Sequence, residues 1–478
     1  MKKILNFKYA ILFLILGLGI FFYPYFFSDF NALAGDYIDS RYLNYFLEHF
    51  WQFINQISPH QSLWDIPMYY PSKNTLATSD CLFGLGLIYV PLRFLFSNYT
   101  SFMLTIITLC ILNFVSFYYL LKKYFQFNDI SCAFGSFIFA FCLFRQEQLN
   151  HAQLLSQFLT IVGIIFFLKT NKNKVYSYIG TFFIALQLYT SFYLCWLLFL
   201  AIGLSVLILL CIKDYRKKLF YLIKNYYDIL IGNLVFFIVL IAPLTYHYLQ
   251  NDFLKFPFEV IKIMKPTLLN GILNNSFLDN FLFFHSTTYK SDTLYGIGLF
   301  TTLVLIYGIT KLKKHRKFCI SLIVIILAIM NCEFIQRFIY NYIIGGGAIR
   351  AYIRCYNIIL PLFAIILADI IQNTKKNNIK YLIVTFVLLE QISMFPLFNW
   401  TKIGAENRIN SYTVPKTCNV VFLNYNKITS NDKELDKYEI DGMWLALRNN
   451  IYTVHGYGAS MQQRKYVKLQ PECVLDIK

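Results

Sequence analysis

Eleven apolar runs dominate this chain, and each must be kept out of water. They cover residues 8–27, 100–121, 130–144, 152–169, 175–190, 193–212, 227–249, 295–311, 317–335, 351–371 and 379–396. A helix needs about 20 apolar residues to cross the roughly 30 Å hydrocarbon core of a bilayer. Within that core every backbone polar group must bond inside its own segment, so each run is expected to be helical. The stretch 175–212 is too long for one crossing and divides at Thr190-Ser191. Only 14% of the residues are charged, against roughly 25% in soluble domains, and 57% are apolar. The expected fold class is an all-α polytopic membrane protein with about 11 transmembrane helices. Residues 1–27 have the lysines and apolar core of a leader, but no small-residue cleavage motif follows, so 8–27 reads as a retained first helix.

The basic residues set the orientation. The formal charge is +18, which in a soluble chain would raise the question of nucleic acid. Here the lysines and arginines sit in short clusters between apolar runs, and nucleic acid is excluded as a partner. With the N-terminus in the cytoplasm, the segments 1–7, 122–129, 170–174, 213–226, 312–316 and 372–378 fall inside. They carry Lys122-Lys123, Lys172, Lys174, Arg216-Lys217-Lys218, Lys313-Lys314 and Lys375-Lys376. This is the positive-inside pattern. Residues 81–97 are also apolar, but a crossing there would invert every later loop. Pro91 and Arg93 interrupt them, so they read as an interfacial or re-entrant helix on the outer side.

A transmembrane domain, 1–396, and an extracytoplasmic C-terminal domain, 397–478, follow. The first domain carries two large outer loops, 28–99 and 250–294. The tail reads as a small α/β segment, with a buried strand at 418–424 and a helix at 433–448. Of the 11 cysteines, none has metal-binding spacing. Cys418 and Cys473 alone fall in the polar tail, where a disulfide is open to them.

Candidate chemistry clusters on the outer side. Gly35-Asp36-Tyr37-Ile38-Asp39 opens the first loop. Two carboxylates three apart share a helix face, where they can bind a divalent cation or supply a base. The alternative is that Asp36 caps a helix over residues 37–54. Glu48-His49 follows on that helix. Arg145-Gln146-Glu147-Gln148-Leu149-Asn150-His151 puts polar groups between two apolar helices, either as a solvated turn or as a functional site at membrane depth. Gly345-Gly346-Gly347-Ala348-Ile349-Arg350 and Arg354 place two arginines one turn apart behind a flexible glycine run. They can clamp a phosphate or snorkel to the interface. His285 in the second outer loop is a further candidate ligand, and His455-Gly456-Tyr457-Gly458 marks a tight turn in the tail.

Taken in order, these stretches resemble the GT-C superfamily of integral membrane glycosyltransferases. They are closest to uncharacterised bacterial polytopic membrane proteins of GT-C-like architecture. The resemblance rests on Gly35-Asp36 with Leu47-Glu48-His49, on Leu63-Trp64-Asp65 with Tyr70-Pro71, and on Thr78-Ser79-Asp80. It continues through His151-Ala152-Gln153-Leu154, Ala348-Ile349-Arg350 with Arg354, and Met443-Trp444-Leu445-Ala446 with His455-Gly456-Tyr457. It implies inverting transfer of a sugar from a polyprenyl-phosphate donor to an envelope glycan, lipid or protein acceptor. The reaction would take place on the outer face of the bacterial cytoplasmic (inner) membrane. Asp36, Asp39, Glu48 and His49 are then the catalytic candidates, with Asp36 and Asp39 the ligands for Mg2+ or Mn2+. Arg145, His151, His285, Arg350 and Arg354 are the candidates for substrate and lipid-phosphate binding. Two acids separated by two residues depart from the strict Asp-x-Asp pattern of such enzymes. The competing readings are a transporter or flippase for lipid-linked glycans and a non-catalytic envelope assembly protein. A flippase would be expected to show paired repeats, and none is visible.

Overall fold

The computed structural model describes residues 7–251, 255–264, 276, 278, 296–312, 315–394, 396–424, 432–457 and 469–476. Each of the eleven apolar runs carries helix. Seven helices are long and apolar enough to cross a membrane: Lys8–Phe27, Asn98–Phe125, Asp129–Gln146, Leu149–Phe167, Phe192–Cys211, Lys213–Leu249 and Tyr352–Asn373. An eighth span results if Arg316–Asn331 and Glu333–Tyr342, bent by 87° at their junction, are taken together. Val175–Thr190, Leu299–Lys311 and Asn377–Glu390 have only 16, 13 and 14 residues. At 1.5 Å per residue these helices fall short of a full hydrocarbon core. The chain is therefore an integral membrane protein with seven or eight long apolar helices among the described residues, and eleven crossings would need these three shorter helices as well.

Small residues set the closest helix crossings. A Cβ on Gly135 would lie 2.9 Å from the Cβ of Ala368 and 3.0 Å from the carbonyl oxygen of Ala364. Gly163 and Gly180 face one another in the same way, each backbone oxygen within 3.2 Å of where the other's Cβ would stand. In lipid, where burial of apolar surface gives helices no drive to associate, such close approach supplies the packing energy. The helix Lys213–Leu249 has 37 residues, far more than one crossing needs. It breaks at Tyr226 (φ −127°), where the basic stretch gives way to the apolar run.

The apolar stretch 81–97 forms only Phe83–Arg93, 11 residues long, or about 16 Å. That is too short to cross. Arg93, which interrupts the run, donates to Glu48 at 2.5 Å.

Beyond the membrane helices, the first loop and the tail are joined. Ala32–Leu33 pairs antiparallel with Trp400–Thr401, and Gly35 bridges to Phe398. Gly35 has φ +84°, a left-handed conformation that strains any residue with a side chain. The loop helix Asp39–Ile54 has 12 of its 16 residues buried. It is thus a central element of the body that the first loop and the tail form, not a surface helix. Tail helices cover it on one side, and helix ends and connecting segments cover the other.

In the tail, Val420–Asn424 lies between two parallel neighbours, Tyr452–Thr453 and Val474–Asp476. The helix Asp432–Asn449 packs on the first two of these strands and on the loop helix. Its Asp441 accepts from Arg41 at 2.6 Å, from Tyr37 at 2.8 Å and from Arg408 at 2.7 Å. Cys418 and Cys473 form a disulfide 55 residues apart in sequence. A crosslink of that span stabilises by about 2–4 kcal/mol, mainly through the unfolded chain. Replacing both cysteines by serine is expected to lower the unfolding free energy of the tail by that amount, while the membrane helices hold. Urea titration followed by limited proteolysis reads this directly.

Candidate functional site

The start of the loop helix, the segment after residue 148, the 345–355 region and the tail meet at one place. Asp36 sits just before the loop helix. Its Oδ1 accepts from the backbone N–H of Ile38 at 3.0 Å and of Asp39 at 2.7 Å. Asp36 therefore does organise the turn into the helix, but with one oxygen only. Burial, then the neighbouring Asp39 charge, pushes its carboxyl up to about 6, against a smaller pull from His151 and the two N–H groups. A carboxylate with that affinity for protons suits a general base near neutral pH.

Asp39 carries the next links. Its Oδ1 accepts from the Tyr457 hydroxyl at 3.0 Å, and its Oδ2 lies 4.0 Å from His151 Nε2. Tyr457 comes from the tail. Gly456 before it fits against the Tyr69 ring, where a Cβ would collide. Burial and the Asp39 charge push the Tyr457 phenol up, and the Arg350 charge pulls it back. Tyr457 is therefore a neutral donor whose neighbours are an acid on one side and a cation on the other.

The arginines approach from the 345–355 region. The backbone N–H of Arg350 donates to the Tyr193 hydroxyl at 3.0 Å. The Arg354 guanidinium stacks 4.5 Å above the Tyr193 ring, and Arg354 is almost fully buried. Asp80 completes the group. It is half-buried, and it accepts from Phe192 N at 2.8 Å and from Gln153 Nε2 at 3.2 Å. Phe192 opens the helix Phe192–Cys211, and a carboxylate suits a helix N-terminus. Burial raises the Asp80 carboxyl, while the Arg354 and His151 charges nearby lower it.

Of the residues singled out from sequence, Asp36, Asp39, His151, Arg350 and Arg354 thus come together. Glu48 and His49 do not join them. Glu48 is nine residues beyond Asp39 on the same helix, about 13 Å along its axis, and is bonded to Arg93 and Tyr89. His49 is buried against His60 at 2.8 Å and the Leu63 carbonyl at 3.0 Å. Burial holds both imidazoles below the usual histidine range. Arg145 is also drawn away. Its guanidinium donates to the carbonyls of Phe139 at 3.0 Å and Leu154 at 3.2 Å, to Asn357 at 2.9 Å, and to Gln157. Its guanidinium thus stitches these segments together, away from the Asp36 group. The segment 145–151 is not a solvated turn: its residues are buried. His285 lies outside the described residues.

Asp80 and Tyr457 were not assigned roles from the sequence. Their signals were a lone acid opening an apolar run and an aromatic between two glycines. Among the described residues, no three His, Cys, Asp or Glu side chains are placed to hold a metal ion. Asp36 and Asp39 supply two carboxylates, each with an oxygen already bonded to backbone N–H or to Tyr457. The described residues do not complete a metal site, and no step below runs through one.

The fold and this group of residues define a polytopic membrane protein with an acid–histidine–arginine cluster shared between its helix ends and the body formed by the first loop and the tail. No protein-family model matches the chain, and no curated protein matches it. Among solved structures it is similar to the Archaeoglobus fulgidus oligosaccharyltransferase in its apo form. The identity is 11% and the TM-score 0.49, over 95% of this chain and 65% of that one. The same enzyme in complex with Zn and sulfate gives 12% identity and a TM-score of 0.42, over 94% and 62%. This chain thus spans less than two thirds of that enzyme's length.

Proposed function

We propose that the chain is an inverting GT-C-type glycosyltransferase. It moves a sugar from a polyprenyl-phosphate donor to an envelope glycan, lipid or protein acceptor on the outer face of the bacterial cytoplasmic membrane. The observation that carries this reading is the meeting of Asp36, Asp39, His151 and Tyr457 with Arg350 and Arg354. A base and a phosphate clamp on one site are what such a transfer needs. The positive-inside pattern supports a site on the outer side, with the N-terminus in the cytoplasm and eleven crossings that include the three shorter helices. A disulfide in the tail agrees with an oxidising compartment.

In this mechanism the donor phosphate lies between Arg350 and Arg354, both ideal for planar, bidentate contact. Asp36 takes the proton of an acceptor hydroxyl as that oxygen attacks the anomeric carbon. The new carbon–oxygen bond forms as the bond to the phosphate oxygen breaks. The arginines stabilise the charge that develops on the leaving phosphate. Asp39, held by Tyr457 and close to His151, keeps the loop opening in place and raises the proton affinity of Asp36.

The base must be unprotonated to act, and its carboxyl titrates near 6. Transfer is therefore expected to be flat above that pH and to fall about tenfold per unit below it. A pH profile of kcat/KM with no acid limb between 5 and 7 contradicts the assignment. Arg354→Ala is expected to raise the donor KM by at least about tenfold, the worth of a charge-assisted bond to phosphate. The wider test compares cells with and without the protein by mass analysis of lipid-linked sugars and surface glycans. Loss of the protein should raise a lipid-linked sugar and remove a surface glycan. Unchanged pools of both would sink the reading.

A further inference from the structure

A second concavity opens at the far end of the loop helix from Asp36 and Asp39. It encloses about 580 Å3. Its walls come from the loop helix, the first turn of Asn98–Leu120, and the tail helices Lys402–Asn410 and Asp432–Asn449. Three aromatic side chains face it. Tyr99 and Trp444 stack on one another with centroids 5.7 Å apart and planes at 25°, and both are nearly buried. Trp51 is backed by the Arg93 guanidinium at 4.4 Å. Between them stand the polar groups of Gln52, Glu406 and Arg448.

The charges in this lining cancel. Glu48 is paired with Arg93, and Glu406 is matched in number by Arg448. A nucleotide or phosphate would call for a positive excess, and a lipid chain for apolar walls throughout. A pyranose ring needs neither. It has an apolar C–H face that lies on an aromatic plane, and a rim of hydroxyls that both donate and accept. Amides, carboxylates and guanidinium groups around the partly exposed Trp51 ring match that pattern. The lining also holds unmet hydrogen-bonding capacity: Gln52 Oε1 and Trp51 Nε1 have no partner, although Gln52 is only 6% exposed. A buried polar atom left without a partner is costly, and so marks a place that a ligand can satisfy.

We propose that this cleft is a binding site for a neutral oligosaccharide, separate from the Asp36 group. Trp51 is twelve residues beyond Asp39 on the same helix, about 18 Å along its axis, so one sugar unit cannot occupy both places. The inference does not depend on glycosyl transfer, and it stands or falls on binding alone.

Saturation-transfer NMR on the purified full chain in lipid nanodiscs tests it. The probes are cellobiose, lactose, mannobiose and N,N′-diacetylchitobiose. At least one is expected to bind, and Trp51→Ala should weaken that binding about tenfold or more, as truncating a buried aromatic anchor does. Glu406→Gln, an exposed and near-isosteric change, should weaken it severalfold in a fully folded protein. It decides the matter if Trp51→Ala proves unstable. Asp39→Asn should leave binding unchanged. Absence of binding by all four sugars overturns the proposal. So does binding that survives both cleft variants, or binding lost in Asp39→Asn.

Discussion

Asp36→Asn lowers the rate of sugar transfer by two to four orders of magnitude, the usual worth of a positioned general base. The asparagine keeps an oxygen where Ile38 and Asp39 donate their N–H groups, so the turn into the loop helix survives. The carboxylate it replaces is held at a cost, since burial and Asp39 both oppose its charge. Removing that charge is therefore expected to leave the thermal midpoint unchanged or slightly raised. A variant that is inactive but no less stable separates chemistry from folding. Full transfer by a folded Asp36→Asn protein would remove Asp36 from the mechanism. Retained activity confined to high pH would point instead to a second base.

Asp441→Ala produces the largest loss of stability. Arg41 and Asp441 are both fully buried and lie 2.6 Å apart. The same carboxylate holds Tyr37 and Arg408. Removing it strands the Arg41 charge in a dry site, and breaking a buried pair in this way costs about 3–5 kcal/mol. Because the pair joins the loop helix to the tail helix, the damage should appear as release of the tail. Limited proteolysis reads it as faster cleavage after residue 397, with the membrane domain intact. Pairing Arg41→Met with Asp441→Leu should recover most of the loss, because the stranded charge is then gone. A tail as resistant in Asp441→Ala as in the wild type would show that other contacts hold the two parts together.

The membrane helices were legible because apolar length is a local property, and even the break at Tyr226 falls where charge gives way to apolar residues. What the sequence could not convey was the destination of each polar group. Arg145 looked like a cation for a ligand because its partners at Gln157 and Asn357 are brought to it only by folding. Glu48 and His49 have residue types fit for catalysis, yet Arg93 and His60 occupy them. The opposite error concerns Tyr457. Its bond to Asp39 spans 418 residues, and no local pattern announces it. The number of crossings is less legible for a different reason: Leu299–Lys311 and Asn377–Glu390 are apolar but short, and length in a helix is known only once its ends are known.

The pairing of Ala32–Leu33 with Trp400–Thr401 has a consequence for biosynthesis. The Tyr37–Asp441 bond closes across 404 residues. At about 5–20 residues per second of synthesis, the first loop waits roughly 20–80 s for its partner. During that interval Arg41 has no counter-ion and the loop helix has no cover. A chain cut short before the tail carries Asp36, Asp39 and both arginines but neither Tyr457 nor Asp441. Such a fragment would insert in the membrane yet leave the loop helix without its cover from the tail, open to proteases and chaperones. The candidate centre thus cannot be assembled until synthesis has passed Asp441 and Tyr457.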